Sequence, residues 1–182
     1  AFQWWLTRWY RTEASRHVPP SDLPAHELVR SVNDCRFDDD ELLIGFGTSY
    51  VRPETLARAT AGFLNLHTGV LPEYRGVKSE FWAIARRDFA RIGWALHYMS
   101  PQLDAGDIVC SGVVPWLGSS APEVRARLVM HSVPAIAEVL SMLRNHGLSS
   151  LPRTPQGNGT YYSAPRLTDW VDYRRSMRSA RG

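Results

Sequence analysis

The chain has 182 residues, of which 44% are hydrophobic, with a formal net charge of +3 and a pI near 9.1. This length suits one well-buried domain and is short for two. No uninterrupted apolar run reaches the roughly 20 residues that a membrane-spanning helix needs, so we expect a cytoplasmic protein with no membrane partner. Cys35 and Cys110 show neither paired nor metal-type spacing, which argues against a disulfide framework.

Much of the excess positive charge gathers at the end of the chain. The arginines there are Arg174, Arg175, Arg178 and Arg181. Clustered charge of this kind most often belongs to a solvated terminus, and no segment matches the usual nucleic-acid-binding motifs. We therefore expect no nucleic-acid partner, and a basic nucleic-acid module is the weaker alternative.

The chain opens on an aromatic segment, residues 2–10, with the pattern of a short amphipathic helix. Pro19, Pro20 and Pro24 then predict an extended connection. The aromatic face needs a partner surface, and packing against the domain, a second subunit or a preceding segment is more common for such a stripe than binding to a membrane surface. A homodimer is therefore one arrangement that residues 1–24 allow.

Strands and helices alternate from residue 42 onwards, which predicts a three-layer α/β fold around a sheet that is mostly parallel or else mixed. We expect strands over residues 42–47, 62–67, 92–99 and 108–114, and helices over 53–61, 77–86 and 121–143. Ser120 is the predicted N-cap of the last helix, Gly147 its stop and Pro134 a candidate break within it. After Pro152, the density of Pro, Gly and Thr predicts an extended strap that leads to a small terminal element.

Two polar side chains share one face of the second predicted strand. Asn65 and His67 are separated by one residue, so they project to the same side of the strand. The amide of Asn65 could donate to an oxyanion as a carbonyl becomes tetrahedral, and His67 could stabilise the same charge or move a proton. Asp104 is the leading candidate for a carboxylate that fixes the imidazole tautomer and raises its pKa. Taken alone, each of these residues is more often structural than catalytic.

In order along the chain, these residues and their neighbours resemble the folate-dependent formyltransferase family. The segments that carry the resemblance are Asn65-Leu66-His67, Leu71-Pro72-Glu73-Tyr74-Arg75-Gly76 and Leu103-Asp104-Ala105-Gly106-Asp107-Ile108. Gly93, His97 and the stretch Gln156–Tyr162 add to it. The resemblance covers about residues 42–143, and the family includes glycinamide ribonucleotide, methionyl-tRNA and sugar N-formyltransferases.

The resemblance implies a Rossmann-like three-layer α/β/α formyltransferase fold, although the family's usual first βα units are not recognisable before residue 42. Residues 1–150 would form the catalytic domain, and 151–182 a C-terminal strap and basic tail. The implied reaction moves a formyl group from 10-formyltetrahydrofolate to an amine without a metal. Asn65 and protonated His67 would stabilise the oxyanion, while Asp104 would support His67 and relay protons.

The same resemblance implies that folate binds between two loops. The matching positions are Ser49, Tyr50, Val51, Pro101, Gln102 and Leu103. His97 would orient the loop that carries Asp104. Arg75 could attract an anionic acceptor or the folate tail, and an ordinary surface arginine is an equal alternative.

The acceptor favoured by the resemblance of Gln156–Tyr162 is an amino sugar on a nucleotide or an envelope glycan. Two alternatives use the same donor. A 10-formyltetrahydrofolate hydrolase would release formate without any amine, and a catalytically silent folate-binding module would bind folate without turnover.

Overall fold

The structure is a computed structural model that describes residues 31–38, 41–48 and 50–179. The predicted aromatic helix with its linker, Ser49 and Arg181 all lie outside the described residues. The chain divides into two compact units, residues 1–35 and 36–182. In the first unit, Val32–Asp34 form a 3₁₀-helix whose first turn is capped by the side chain of Ser31.

Six strands are described in the second unit. They are β1 (Leu43–Phe46), β2 (Phe63–His67), β3 (Arg75–Gly76), β4 (Gly93–Tyr98), β5 (Ile108–Val113) and β6 (Tyr161–Tyr162). The central sheet has the order β1-β2-β4-β5, with β1 parallel to β2 and the other two pairs antiparallel. The connection between β4 and β5 is shorter than the roughly dozen residues that a parallel crossover needs. The predicted α/β class is confirmed, but the sheet is mixed, and the preference for a mostly parallel sheet is wrong for the described strands.

Four α-helices accompany these strands. They are α1 (Pro53–Arg58), α2 (Ser79–Ala85), α3 (Ala121–His146) and α4 (Leu167–Ser179). The predicted start of α3 is confirmed, because the backbone N–H of Ser120 donates to the Glu123 carboxylate in a capping box. The predicted break is wrong, since α3 continues through Pro134. Pro134 lies on the exposed side of α3, where water can reach the carbonyl that loses its helical partner.

The hydrophobic core lies against one face of β2 and β4. Leu64 and Leu66 of β2 face it and are 0% and 5% exposed, and the same core cluster includes Phe81 of α2 and Leu128 of α3. Because strand side chains alternate, the opposite face of β2 carries Asn65 and the remaining polar positions. Burial of the leucines in the core therefore places the polar side chains of β2 on the opposite face of the sheet.

The extended strap and the small terminal element predicted after Pro152 are both present. Residue Thr154 pairs with the first residue of β5 in an isolated antiparallel bridge, and β6 pairs in parallel with β3. The terminal element is α4, and Ser176 on it donates a hydrogen bond of 3.2 Å to the carbonyl of Ala85 at the end of α2. The strap is thus held to β5 at one end and to β3 at the other, and the terminal helix α4 that follows it is held to α2.

Among the described residues, α3 is the one helix long and apolar enough, by length and composition alone, to cross a membrane. Core helices of globular domains meet the same criterion. One face of α3 packs in the core through Val124, Leu128, Ile136 and Val139. The expected cytoplasmic location and the expected absence of a membrane partner stay predictions.

Candidate active site

Four of the predicted polar residues meet on one side of the sheet. The register of β2 and β4 places Asn65 opposite His97, and the side-chain amide nitrogen of Asn65 lies 3.4 Å from Nε2 of His97. The carboxylate of Asp104 reaches both histidines, with Oδ2 at 3.6 Å from Nδ1 of His67 and Oδ1 at 3.5 Å from Nε2 of His97. Asp104 is buried, as are both imidazoles. The structure therefore gathers the predicted amide, imidazoles and carboxylate into one cluster.

The turn between β4 and β5 holds the Asp104 carboxylate inward. Asp104 adopts a left-handed backbone with φ of 51°, a conformation that Asp tolerates better than most residues. The backbone N–H of Gly76 donates to Oδ2 at 2.8 Å. At position 106 a Cβ atom would collide with the carbonyl of Tyr98, so only glycine fits there. These local requirements explain the Asp-x-Gly pattern.

His67 is fixed in one tautomer by the loop that follows it. Its Nε2 lies 2.7 Å from the carbonyl oxygen of Tyr74 and 3.0 Å from the hydroxyl of Ser79. The Ser79 hydroxyl donates its own hydrogen to the Tyr74 carbonyl. Because a carbonyl oxygen only accepts, Nε2 must carry the proton, and Nδ1 is the nitrogen turned towards Asp104.

A protonated His67 was expected from the sequence, whereas the pKa of this residue in the structure favours the neutral form. Burial lowers the pKa of His67 below its usual value and outweighs the attraction of Asp104, which was expected to raise it. Burial alone would raise the pKa of Asp104. The hydrogen bond with His97, the neighbouring His67 and the Gly76 amide more than offset this, so the pKa of Asp104 lies below its usual range. At neutral pH the site thus holds a neutral imidazole beside a carboxylate.

The side-chain oxygen of Asn65 is a buried acceptor with no hydrogen-bond partner among residues 31–38, 41–48 and 50–179. Leaving a buried polar atom unpaired costs about 1–3 kcal/mol. A ligand that brings an N–H donor to this point would remove that cost. The cluster therefore suits a ligand with an amine or amide group.

Arg75 is buried, and the alternative of an ordinary surface arginine is wrong. Its residue exposure is 8%, and its Nε and Nη2 lie 3.3 and 3.0 Å from the side-chain oxygen of Gln156. Nη2 also donates to the carbonyl of Gly157 at 3.0 Å. Arg75 thus binds the strap. The sequence reasoning missed this role because the contact joins residues 81 positions apart.

A cavity of about 320 Å³ lies beside the loop that carries Asp104. Its walls come from α1, the start of β2 and the end of β4, and include Leu56, Ala57, Phe63, Tyr98, Met99 and Pro101. Of the predicted folate contacts, Pro101 lines this cavity. Tyr50, Gln102 and Leu103 are exposed outside it, and Val51 is half-buried outside it. The wall that α1 forms in this cavity was not predicted from the sequence. The helix predicted over residues 53–61 could have indicated it, because its apolar residues must pack against a neighbouring segment.

Comparisons with known proteins agree on one family. A family model described as formyl transferase matches residues 39–138. The methionyl-tRNA formyltransferase of Rhodopirellula baltica is 30% identical over 169 residues, covering 87% of this chain and 49% of that protein. The methionyl-tRNA formyltransferase of Moorella thermoacetica is 31% identical over 158 residues, covering 81% of this chain and 46% of that protein.

A solved structure shows the same fold. The formyltransferase PseJ from Anoxybacillus kamchatkensis, in complex with UDP-4,6-dideoxy-4-formamido-L-AltNAc and tetrahydrofolate, aligns with a TM-score of 0.61 at 21% identity. The alignment covers 92% of this chain and 85% of that chain. By contrast, the chain spans about half the length of the curated relatives that it matches.

Proposed function

The chain belongs to the formyl transferase family, and on that premise we propose that it transfers a formyl group from 10-formyltetrahydrofolate to a primary amine. The single observation that carries the proposal is the placement of the Asp104 carboxylate between His67 and His97, the second of which also contacts Asn65. A buried carboxylate with a neutral imidazole can accept and return a proton, which amine formylation requires. The proposed catalytic residues are Asn65, His67 and Asp104, with His97 in support.

The proposed reaction begins when the amine nitrogen attacks the formyl carbon. A carbon–nitrogen bond forms, the carbonyl oxygen gains negative charge, and the attacking nitrogen becomes acidic. The side-chain amide of Asn65 donates to that oxygen. Nδ1 of His67 takes the proton from the amine nitrogen, because Nε2 already donates a hydrogen bond to the Tyr74 carbonyl. Asp104 stabilises the imidazolium, and the proton passes to the folate nitrogen as its bond to the formyl carbon breaks.

This mechanism changes one detail of the expected chemistry. The resemblance implied that His67 starts protonated, whereas its lowered pKa favours the neutral form. A neutral imidazole is the better proton acceptor for an attacking amine. The positive charge that stabilises the oxyanion then arises on His67 during the reaction.

The cavity beside the loop that carries Asp104 is the proposed site for the donor's pterin ring. Its volume lies at the lower end of the range of small-molecule pockets, and its walls are mostly apolar. Met99 and Pro101 belong to the same connection between β4 and β5 as Asp104. A flat ring held between them and Leu56 would therefore bring the formyl-bearing nitrogen towards the carboxylate.

Filling the cavity should weaken donor binding. Ala57 lines it, so in Ala57→Trp the indole should compete with the pterin and raise the Kd at least about tenfold, or 1.4 kcal/mol. The matched control is Ala137→Trp, because Ala137 is also an exposed helical alanine but lies outside the cavity lining. Titration calorimetry with 5-formyltetrahydrofolate, which does not donate its formyl group readily, gives the Kd. Equal affinities in both variants and the wild type would place the donor elsewhere.

An amino sugar on a nucleotide or envelope glycan is our favoured acceptor, and PseJ, which shares the fold, was solved in complex with a formylated UDP-sugar. The curated relatives bear the name methionyl-tRNA formyltransferase, so methionyl-tRNA is the second acceptor to assay. Both present a primary amine, which is the group that the chemistry of the site requires.

We also propose that residues 1–150 supply the catalytic domain and that 151–182 form the strap and basic tail. The described part of the strap reaches the Asp104 turn directly, because the side chain of Gln156 donates to the Asp104 carbonyl. The homodimer allowed by the aromatic first segment stays a prediction.

A further inference from the structure

We propose that Gln156 is a positioning residue that holds the Asp104 turn in its inward conformation, an assignment that rests on the proposed function. Gln156 lies on the strap, far along the chain from the cluster on β2 and β4. It touches the backbone of the turn and none of the reacting groups. Its contribution to the reaction would therefore pass through Asp104.

The strap forms hydrogen bonds with two loops, the one that carries Asp104 and the one over residues 71–76. At one end, Thr154 exchanges backbone hydrogen bonds with Ile108, just beyond the Asp104 turn. At the other end, Thr160 donates to the carbonyl of Pro72 and accepts from the N–H of Arg75. The second loop also supplies Gly76, whose N–H binds the Asp104 carboxylate. The strap thus sets the distance between the turn and its backbone donor.

Gln156 is the side chain that joins these two loops. Its Nε2 donates to the carbonyl oxygens of Asp104 at 3.1 Å and Gly106 at 2.6 Å. Its Oε1 accepts from the guanidinium of Arg75. A glutamine amide combines two N–H donors with a strong acceptor, and this site uses both functions.

The orientation of the Gln156 amide follows from its partners. Guanidinium groups only donate, so the atom facing Arg75 must be the oxygen, and the nitrogen must face the two carbonyls. Burial of Arg75 keeps that donor in place. Arg75 therefore orients the Gln156 amide, and the Gln156 amide holds the backbone turn that carries Asp104.

The Asp104 turn needs such a fixed partner. Asp104 has a positive φ, which a non-glycine residue leaves easily unless its surroundings hold it. The Gly76 amide holds the carboxylate end, and Gln156 holds the backbone carbonyl on the other side of the same residue. Without the second contact, the carboxylate can move away from the imidazoles.

Two substitutions separate the contact with the turn from the contact with Arg75. Gln156→Ala removes both, whereas Gln156→Glu keeps the side-chain volume and an oxygen for Arg75 but loses the N–H donors. We expect both to lower kcat about 10- to 100-fold, with the donor KM within about twofold of wild type, because a small displacement of a catalytic group slows the reaction by this order. Asn158→Ala, an exposed change on the same strap, should keep wild-type kinetics. Wild-type kcat in Gln156→Glu would overturn the proposal.

A second readout does not depend on turnover. His67 faces Asp104, His97 and Glu80, and Asp104 raises the pKa of His67 against the effect of burial. If Gln156 holds Asp104, then NMR titration of the His67 imidazole should give a lower pKa in Gln156→Ala, which adds no charge, than in wild type or Asn158→Ala. An unchanged pKa would overturn the positioning role. If the pKa shifts as expected but the wild type transfers no formyl group, the proposed function fails while the positioning role stands.

Discussion

Replacing Asp104 with Asn should lower kcat for formyl transfer roughly 10²–10⁴-fold, the range expected when a group that moves a proton is lost. The substitution keeps the size of the side chain, and Asn tolerates the left-handed backbone that Asp104 adopts. The amide oxygen can still accept from the N–H of Gly76. The decrease in kcat should therefore come from the missing negative charge between the two imidazoles. Fixed-time assays of the formylated product measure it.

The matched control for this variant is Asp107→Asn. Asp107 lies on the same connection between β4 and β5, but its carboxylate makes a 3.8 Å ion pair with Arg153 instead of facing the imidazoles. Removing that charge should leave kcat within about twofold of wild type, because partly exposed pairs of this kind contribute little. Equal losses in both variants would indicate damage to the turn and would contradict a specific role for Asp104.

Replacing His67 with Asn should lower kcat about 10²- to 10³-fold, because the proposed proton acceptor is lost. In the wild type, the lowered pKa of His67 should keep kcat constant as the pH falls through 6.5, with a decline only at lower pH. The kcat of the variant should lack that decline. A wild-type kcat that already falls above pH 6.5 would contradict a neutral, buried His67 as the proton acceptor.

The free energy of unfolding should also depend on the protonation of His67. Because burial lowers the pKa of folded His67, the unfolded chain binds more protons once the pH drops below the usual value of 6.5. The free energy of unfolding should therefore decrease as the pH falls from 6.5 towards the folded pKa, and be unaffected by His67 above it. Urea denaturation of the wild type and His67→Asn across this window measures the difference between the two slopes.

The alternation of side chains along a strand made the positions of Asn65 and His67 predictable. Asn65 and His67 sit two positions apart, and the need to bury Leu64 and Leu66 directs both polar side chains to the other face. Asp104 was predictable for a local reason too, because the Ala-Gly that follows it allows a sharp turn. The structure brings these three residues together as the sequence predicted.

Contacts between distant segments were not predictable in this way. Nothing local to Arg75 or Gln156 indicates that they bind each other, because their partners lie 81 positions away and are set by the path of the strap. The pKa of His67 was misjudged for a related reason. Its value depends on how completely the surrounding core excludes water, and a motif does not encode that quantity.

The cavity that we propose for the donor lies on the predicted connection between β4 and β5, but its other wall differs from the predicted loop. Residues 101–103 were expected to face the loop at 49–51, whereas the cavity beside Pro101 is walled by Leu56 and Ala57 of α1. How α1 docks on the sheet depends on side-chain packing, and α1 ends at Arg58, before the expected end at position 61. A helix pattern alone does not fix that docking.

The most direct test of the central claim follows the formyl carbon itself. The protein would be incubated with 10-formyltetrahydrofolate carrying a ¹³C formyl group, with amino-sugar nucleotides or methionyl-tRNA, and the labelled products identified by NMR and mass spectrometry. We expect a labelled formamide whose formation depends on the amine and decreases in Asp104→Asn. Labelled formate without amine would indicate a hydrolase, and donor that is bound but unchanged would indicate a silent folate-binding module; either result would contradict the proposed transfer.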